Sequence, residues 1–342
     1  MRLVLLALVV VLSLGVRRTV AAAAPSVDPA DWLKPHLVEV GDGRRLNVVC
    51  VGHGAPTVVF EQGGEGAIAN WDKVMPAVSA TTRACFYDRA GFGYSDPPVR
   101  PVTGLSQTDD LHALLVRLGV EGPIVLVGHS IGGFYATLYA DRFPDEVGGM
   151  VLVDPGFAGQ FNPLPAARRI EQANMRQGET QLGACAALAR RGKLSAQSPH
   201  GCFWIEPGRP ADETEYLLHA FTRPAWYEAE RSQSVNFFPH GQGDSLSMRQ
   251  ERAASRSFGD MPLIVLTSGV PPRDTVDTDE SWRRKSNLWR RGHEALAARS
   301  TRGKAMVVPG ARHFIQRDNP PSVIDAITTV IEAVRRGGLN RQ

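Results

Sequence analysis

Near the middle of the chain stands Pro123-Ile124-Val125-Leu126-Val127-Gly128-His129-Ser130-Ile131-Gly132-Gly133, and this stretch decides the fold. Its first five residues form a continuous apolar run of strand length, and the segment from Gly133 to Phe143 carries helical spacing. Between them lies Gly-x-Ser-x-Gly, a strand-to-helix turn that strains the Ser backbone. Small residues two before and two after the Ser let the chain pass close by. Such a turn exposes the Ser130 hydroxyl at the carboxyl edge of a sheet. It also aims the Ile131 amide toward a developing oxyanion, and the helix N-terminus adds partial positive charge. Ser130 is the candidate nucleophile, and the Ile131 N–H a candidate oxyanion donor.

Outward from this turn, short apolar runs recur. Leu37–Val40 and Arg45–Val51 read as a β-hairpin about the turn signal Gly41-Asp42-Gly43. Thr57–Glu61, Arg83–Tyr87, Gly149–Val153, Met261–Thr267 and Lys304–Val308 follow the same strand pattern. Most are continuous rather than alternating, the mark of strands covered on both faces. Helix-period segments separate them at Trp71–Ser79, Thr108–Leu118, Ile131–Phe143 and Pro321–Arg336. In the last, Val323, Ile324, Ile327, Val330, Ile331 and Val334 form one apolar stripe. This alternation predicts an α/β fold: a doubly wound, mostly parallel eight-stranded sheet. Residues 156–260 break the alternation and read as a helical lid inserted after the sixth strand. Residues 31–155 and 261–340 then form the core.

Composition excludes several classes. The chain has 342 residues, 43% hydrophobic and 21% charged, so it is globular rather than disordered. Its 38 Lys and Arg against 35 Asp and Glu are dispersed, which gives no reason to expect a nucleic-acid partner. At the N-terminus, Arg2, the apolar run Leu3–Val16 and the small residues up to Ala24 describe a secretory signal peptide, residues 1–24. An uncleaved membrane anchor is the alternative reading. Export would place the protein outside the cell or in the periplasm. There its four cysteines, Cys50, Cys85, Cys185 and Cys202, could form two bridges. The other reading of the four is buried free thiols.

Two further motifs complete a pattern. Tyr87-Asp88-Arg89-Ala90-Gly91-Phe92-Gly93-Tyr94-Ser95-Asp96 follows the fourth strand, and Gly310-Ala311-Arg312-His313-Phe314 follows the last. With the Ser130 turn, and in this order, they make the chain resemble the α/β-hydrolase family from His36 to Val334. The resemblance implies an eight-stranded core and a catalytic His at 313. It also puts Cys50 and Cys85 on neighbouring strands, where a disulfide would join them. Finally, it implies a second oxyanion donor after the third strand. There the family has His-Gly, and this chain has Gln62-Gly63-Gly64-Glu65-Gly66 with Trp71 downstream. Aligned on Trp71, Gln62 replaces the His and Gly64 supplies the amide. No Lys-Ser/Thr follows these glycines, so they do not form a phosphate loop.

Nine histidines compete for the role of base. His313 alone follows the final strand, where a loop reaches the nucleophile's edge. His129 packs beneath the turn, and His36, His53, His112, His200, His219, His240 and His293 read as surface or packing residues. The acid must orient the His313 imidazole. Asp154, at the end of Val151-Leu152-Val153, is the first candidate. Asp274, Asp277 and Asp279, after Met261–Thr267, are the others. Ser268-Gly269-Val270-Pro271-Pro272-Arg273 precedes those acids, which also read as the solvated start of a helix around Trp282–Ala298. No metal-ligand spacing occurs and no cofactor is expected.

The reading is a serine hydrolase cleaving a small carboxylic ester, or less readily an amide, through an acyl-enzyme on Ser130 with His313 and Asp154. Ser at position 130 argues against relatives that attack through a carboxylate. Cofactor-free haloperoxidase-like activity would share the same three residues. A binding protein on a hydrolase scaffold would lack a Ser or His that this chain has.

Overall fold

The apolar runs become strands β1 (Leu37–Gly41), β2 (Arg44–Val51), β3 (Val58–Glu61), β4 (Ala84–Tyr87), β5 (Ile124–His129), β6 (Val147–Val153), β7 (Leu263–Ser268) and β8 (Gly303–Val308). They form one sheet in the order β1-β2-β4-β3-β5-β6-β7-β8. Strands β1 and β2 are antiparallel to each other, and β2 runs antiparallel to β4; every later pairing is parallel. The structure is a computed structural model and describes residues 27–161, 165–240, 243–273 and 277–339. The expected leader at 1–24 and the candidate acid Asp274 lie outside the described residues.

Helices cover both faces: α1 (Met75–Ser79), α2 (Gly104–Arg117), α3 (Ile131–Arg142), α8 (Asp279–Ala297), α9 (Ile315–Asp318) and α10 (Pro320–Leu339). Between β6 and β7 the chain adds α4 (Pro165–Arg190), α5 (Ala211–Thr222), α6 (Pro224–Phe237) and α7 (Leu246–Ala254), the insertion expected there. Strand alternation builds two cores. Val58 and Phe60 join one, with Val323, Ile327, Val330 and Ile331 of α10. Val59 faces the other, with Leu111, Leu114 and Leu115 of α2. Burying one such side chain contributes about 1.5–3 kcal/mol. The anticipated α10 stripe packs as its spacing required, with Ile324 and Val334 at its rim.

Two boundaries and one burial pattern differ from expectation. The helix expected over Trp71–Ser79 is a 3₁₀ turn at Ile68–Trp71 followed by α1. Pro76 lacks an N–H and would clash with the carbonyl four residues back, so the helix cannot run through it. Helix α2 starts at Gly104 rather than Thr108, because Thr103 and Ser106 form a reciprocal capping box. Strand β8, the sheet edge, is not covered on both faces: Met306 and Val307 are each 50% exposed.

Cys50 and Cys85 stand in register across β2 and β4 and are disulfide-bonded, with Cα atoms 4.0 Å apart. Cys185 on α4 is bridged to Cys202.

Candidate active site

Strand β5 delivers Ser130 into a turn with φ 55° and ψ −125°. A non-glycine residue pays roughly 1–3 kcal/mol for such backbone, which the surrounding packing must enforce. The flanking glycines show how. A Cβ on Gly128 would stand 2.7 Å from the Gly132 carbonyl oxygen, and one on Gly132 would stand 2.2 Å from the Gln62 carbonyl oxygen. The turn is thus pressed between the first turn of α3 and the loop after β3. Its neighbour β6 pins it from the side: Ser130 N–H donates to the Val153 carbonyl at 3.0 Å.

The structure brings Ser130, His313 and Asp154 together. His313 Nε2 lies 2.9 Å from Ser130 Oγ, and His313 Nδ1 lies 2.7 Å from Asp154 Oδ2. The other carboxylate oxygen, Asp154 Oδ1, accepts from the Ser268 amide at 2.9 Å and from Trp289 Nε1 at 2.8 Å. Burial pushes the Asp154 carboxyl up. The hydrogen bond and charge of His313, with the Ser268 amide, outweigh that and hold it below its ordinary value. With Asp154 ionised, His313 carries its proton on Nδ1, leaving Nε2 to accept from the Ser130 hydroxyl.

Asp277 and Asp279, the competing acids among the described residues, are engaged elsewhere. Asp277 Oδ1 accepts from Ser281 Oγ at 3.0 Å and pairs with Lys285 at 2.8 Å, at the start of α8. Asp279 pairs with Arg273 at 2.5 Å.

Two histidines assigned only packing do more specific work. His129 is buried and its Nε2 donates to the His313 carbonyl at 3.0 Å, bracing the turn that carries His313. Burial, then the neighbouring His313 charge, lowers its pKa to about 3, so it stays neutral. His293 is fully buried; its Nε2 donates to the Pro155 carbonyl at 2.9 Å, and its Nδ1 lies 2.7 Å from Thr267 Oγ1. Burial lowers its pKa too. Trp289 and His293 sit four residues apart on α8, and both reach the β6 end. Their i, i+4 spacing puts both rings on one helix face, but spacing alone names no partner for them.

For the oxyanion, Ile131 opens α3, where first-turn amides have no intrahelical acceptor. Gly64 lies in the loop after β3. Trp71 Nε1 donates to Gln62 Oε1 at 2.6 Å, so the tryptophan used for alignment does anchor the residue standing in the His position. Gly63 must be glycine, since a Cβ there would meet His129 Nδ1 at 2.7 Å.

A cleft of about 490 Å³ opens beside His313, between the core and the insertion. Trp204, Leu217 and Phe221 give it apolar walls; Glu65, Lys73 and Arg209 give it charged ones. Among the described residues no cluster of His, Cys, Asp and Glu is placed to hold a metal ion.

A family model described as alpha/beta hydrolase fold matches residues 56–235. An uncharacterized protein of Schizosaccharomyces pombe is 29% identical over 220 residues, 64% of this chain and 37% of that protein. The (Lyso)-N-acylphosphatidylethanolamine lipase of Homo sapiens is 32% identical over 180 residues, 47% of this chain and 51% of the lipase. The chain therefore spans about half or less of the length of these relatives. Among solved structures, an ancestral haloalkane dehalogenase superposes with a TM-score of 0.63 at 19% identity, over 88% of this chain and 99% of the other, a likeness of fold alone. By the family match over more than half its length, and by the sheet it forms, the chain belongs to the alpha/beta hydrolase fold family.

Proposed function

We propose that this protein is a serine hydrolase that cleaves a small carboxylic ester. One observation carries the reading: the unbroken chain of contacts from Asp154 through His313 to Ser130 Oγ, at 2.7 and 2.9 Å. As His313 Nε2 takes the Ser130 proton, Oγ bonds to the ester carbonyl carbon. The carbonyl oxygen becomes an oxyanion facing the Gly64 and Ile131 amides. Collapse of that intermediate breaks the bond to the alkoxy oxygen, which leaves as an alcohol with the proton from His313. Water then attacks the acyl carbon and gives a proton to His313; collapse breaks the acyl–Oγ bond, Ser130 Oγ takes that proton, and the carboxylic acid leaves.

A serine nucleophile supports this reading over the carboxylate attack expected of dehalogenases. The cleft meets the proposed machinery at His313, while Ser130 does not line it; its volume is that of a small-molecule site. The lipase relative supports ester rather than amide substrates.

Export is the companion proposal. Its supports are the leader-like N-terminus and the two disulfides, which persist in oxidising compartments.

A fluorophosphonate probe tests the activity. Wild type should be labelled on Ser130 and Ser130→Ala should not, while p-nitrophenyl butyrate turnover disappears in the variant with little change in Tm. An unlabelled wild-type protein would reject the enzyme reading in favour of a binding protein on this fold.

A further inference from the structure

The Asp88-Arg89-Ala90-Gly91-Phe92-Gly93 motif touches none of the three catalytic side chains, yet its arginine reaches the oxyanion loop. Arg89 is buried, its guanidinium lying over the rings of Phe92 and Tyr135. Its Nη1 donates to the Gln62 carbonyl at 2.5 Å and to Glu61 Oε1 at 3.2 Å. Its Nη2 donates to the Gly63 carbonyl at 2.6 Å and to Gln233 Oε1 at 3.2 Å. Gln233, on α6 of the insertion, closes the circuit: its Nε2 donates to the Gly64 carbonyl at 3.2 Å and to Glu230 Oε2 at 2.9 Å. Three successive carbonyls, at 62, 63 and 64, are therefore held on one side by one arginine and one glutamine.

We infer that Arg89 and Gln233 are positioning residues that aim the Gly64 N–H at the oxyanion, so that the helical insertion holds part of the catalytic machinery in place. The argument is one of peptide geometry. Of the described peptide bonds, only Ala55–Pro56 is cis, so the Gly63–Gly64 peptide is trans and planar. In such a unit the C=O and N–H point in opposite directions. Holding the Gly63 oxygen against Arg89, with the Gly66 amide also donating to it at 3.1 Å, therefore points the Gly64 N–H away from Arg89.

The need for such a clamp follows from the sequence. Two adjacent glycines have the least intrinsic backbone preference of any pair, so a donor mounted on them is not fixed by its own dihedrals. An oxyanion donor contributes only if it is oriented before reaction. Arginine's planar fork holds two neighbouring carbonyls at a fixed spacing, which the freely rotating ammonium of lysine does not impose. Glu61, which also accepts from Tyr87 Oη, neutralises the buried guanidinium.

This inference rests on the proposed serine-hydrolase reading, and the test separates the two. Wild type, Gln233→Leu and Arg89→Lys are compared with p-nitrophenyl butyrate and with 1,1,1-trifluoro-4-phenylbutan-2-one. The ketone accepts Ser130 Oγ at its carbonyl carbon, sends the serine proton to His313, and leaves an alkoxide in the oxyanion site. Removing such a donor outright costs about 10²–10³-fold in kcat. Misaiming it in Gln233→Leu should lower kcat about tenfold with KM within about twofold. The ketone Ki should rise by that same factor, with the variant still folded at the assay temperature. Arg89→Lys should lose more in both measures. If that variant does not fold, Gln233→Leu decides alone. Unchanged kcat and Ki in Gln233→Leu, or an effect confined to KM, would overturn the inference. A wild-type protein that fails to take the fluorophosphonate would instead bring down the reading beneath it.

Discussion

Strands β6 and β7 end side by side at the sheet's carboxyl edge, and they end differently. Strand β6 finishes in Asp154, held at φ 43° with its amide bonded to the Leu266 carbonyl of β7. Strand β7 finishes in Ser268, whose amide donates to Asp154 and whose hydroxyl is buried without a partner. Gly269 then turns the chain against the end of β8, where a Cβ would meet the Val308 carbonyl oxygen at 2.4 Å. The strand that lacks the acid thus serves the strand that has it. Two adjacent strand ends can each offer a carboxylate to the same histidine, but the one left without it must still help neutralise the other's buried charge. Among the described candidates the donors favour Asp154, which has the Ser268 amide and Trp289, whereas Asp277 and Asp279 pair with cations at the start of α8.

The sharpest way to break this contrast is Asp154→Asn, which should cut kcat for an ester by about 10³–10⁴-fold, as a triad acid does in the serine-protease template. Steady-state kinetics on folded protein would show it. A loss under tenfold would move the acid away from β6. The same variant has a pH signature. Because the folded carboxyl is held below its unfolded value, its ionisation favours the folded state above about pH 4, and that benefit fades as pH falls through the depressed value. The stability gap between wild type and Asp154→Asn should therefore be constant from neutrality to about pH 4 and shrink below it. Urea titrations at several pH values would reveal this.

Next in size is a rescue. Adding Ser268→Asp to Asp154→Asn puts a carboxylate at the β7 end, beside the vacated position. We expect roughly a tenfold recovery in kcat, or about 1.4 kcal/mol of barrier. In the wild-type background Ser268→Asp should destabilise instead, because two buried carboxyls would face each other.

Smaller again is Trp289→Phe. It removes one hydrogen bond to an ionised acceptor, worth about 1.5–3 kcal/mol, and should lower kcat about three- to tenfold while the ring's packing is kept. Smallest is Asp277→Asn. Turnover should stay within about twofold of wild type, and stability should drop by about 1–3 kcal/mol, because the buried Asp277 carboxylate pairs with Lys285 and accepts from Ser281. A large activity loss in this last variant would erase the distinction between the two strand ends.

How much of this could be read in advance differs between fold and site. Strands β3 to β7 were legible because buried parallel strands announce themselves as apolar runs, and β1 and β2 because a Gly-Asp-Gly turn joins them. Ser130 was legible because its turn forces glycines at fixed offsets. Asp154 was legible as a residue at a fixed strand end. Trp289 was not, because its partner lies 135 positions away in sequence and α8 otherwise reads as a charged surface helix. The brace by His129 was hidden too, since its partner is a backbone carbonyl, which leaves no mark on side-chain pattern. The early start of α2 was missed because Ser106, at the third helical position, takes the place of the usual Glu or Gln in the capping box.

The Cys50–Cys85 bond has a topological consequence. The two residues are 35 apart, and the covalent ring they close contains β3 and the Gly63–Gly64 loop. A protease that cut once inside this ring would leave both fragments joined, and only a reductant would release them. On a non-reducing gel such a nicked molecule would migrate almost as the intact one, while under reduction it would split in two. Activity could then be lost or kept with no change in apparent size, so a homogeneous band alone would not certify an unbroken oxyanion loop.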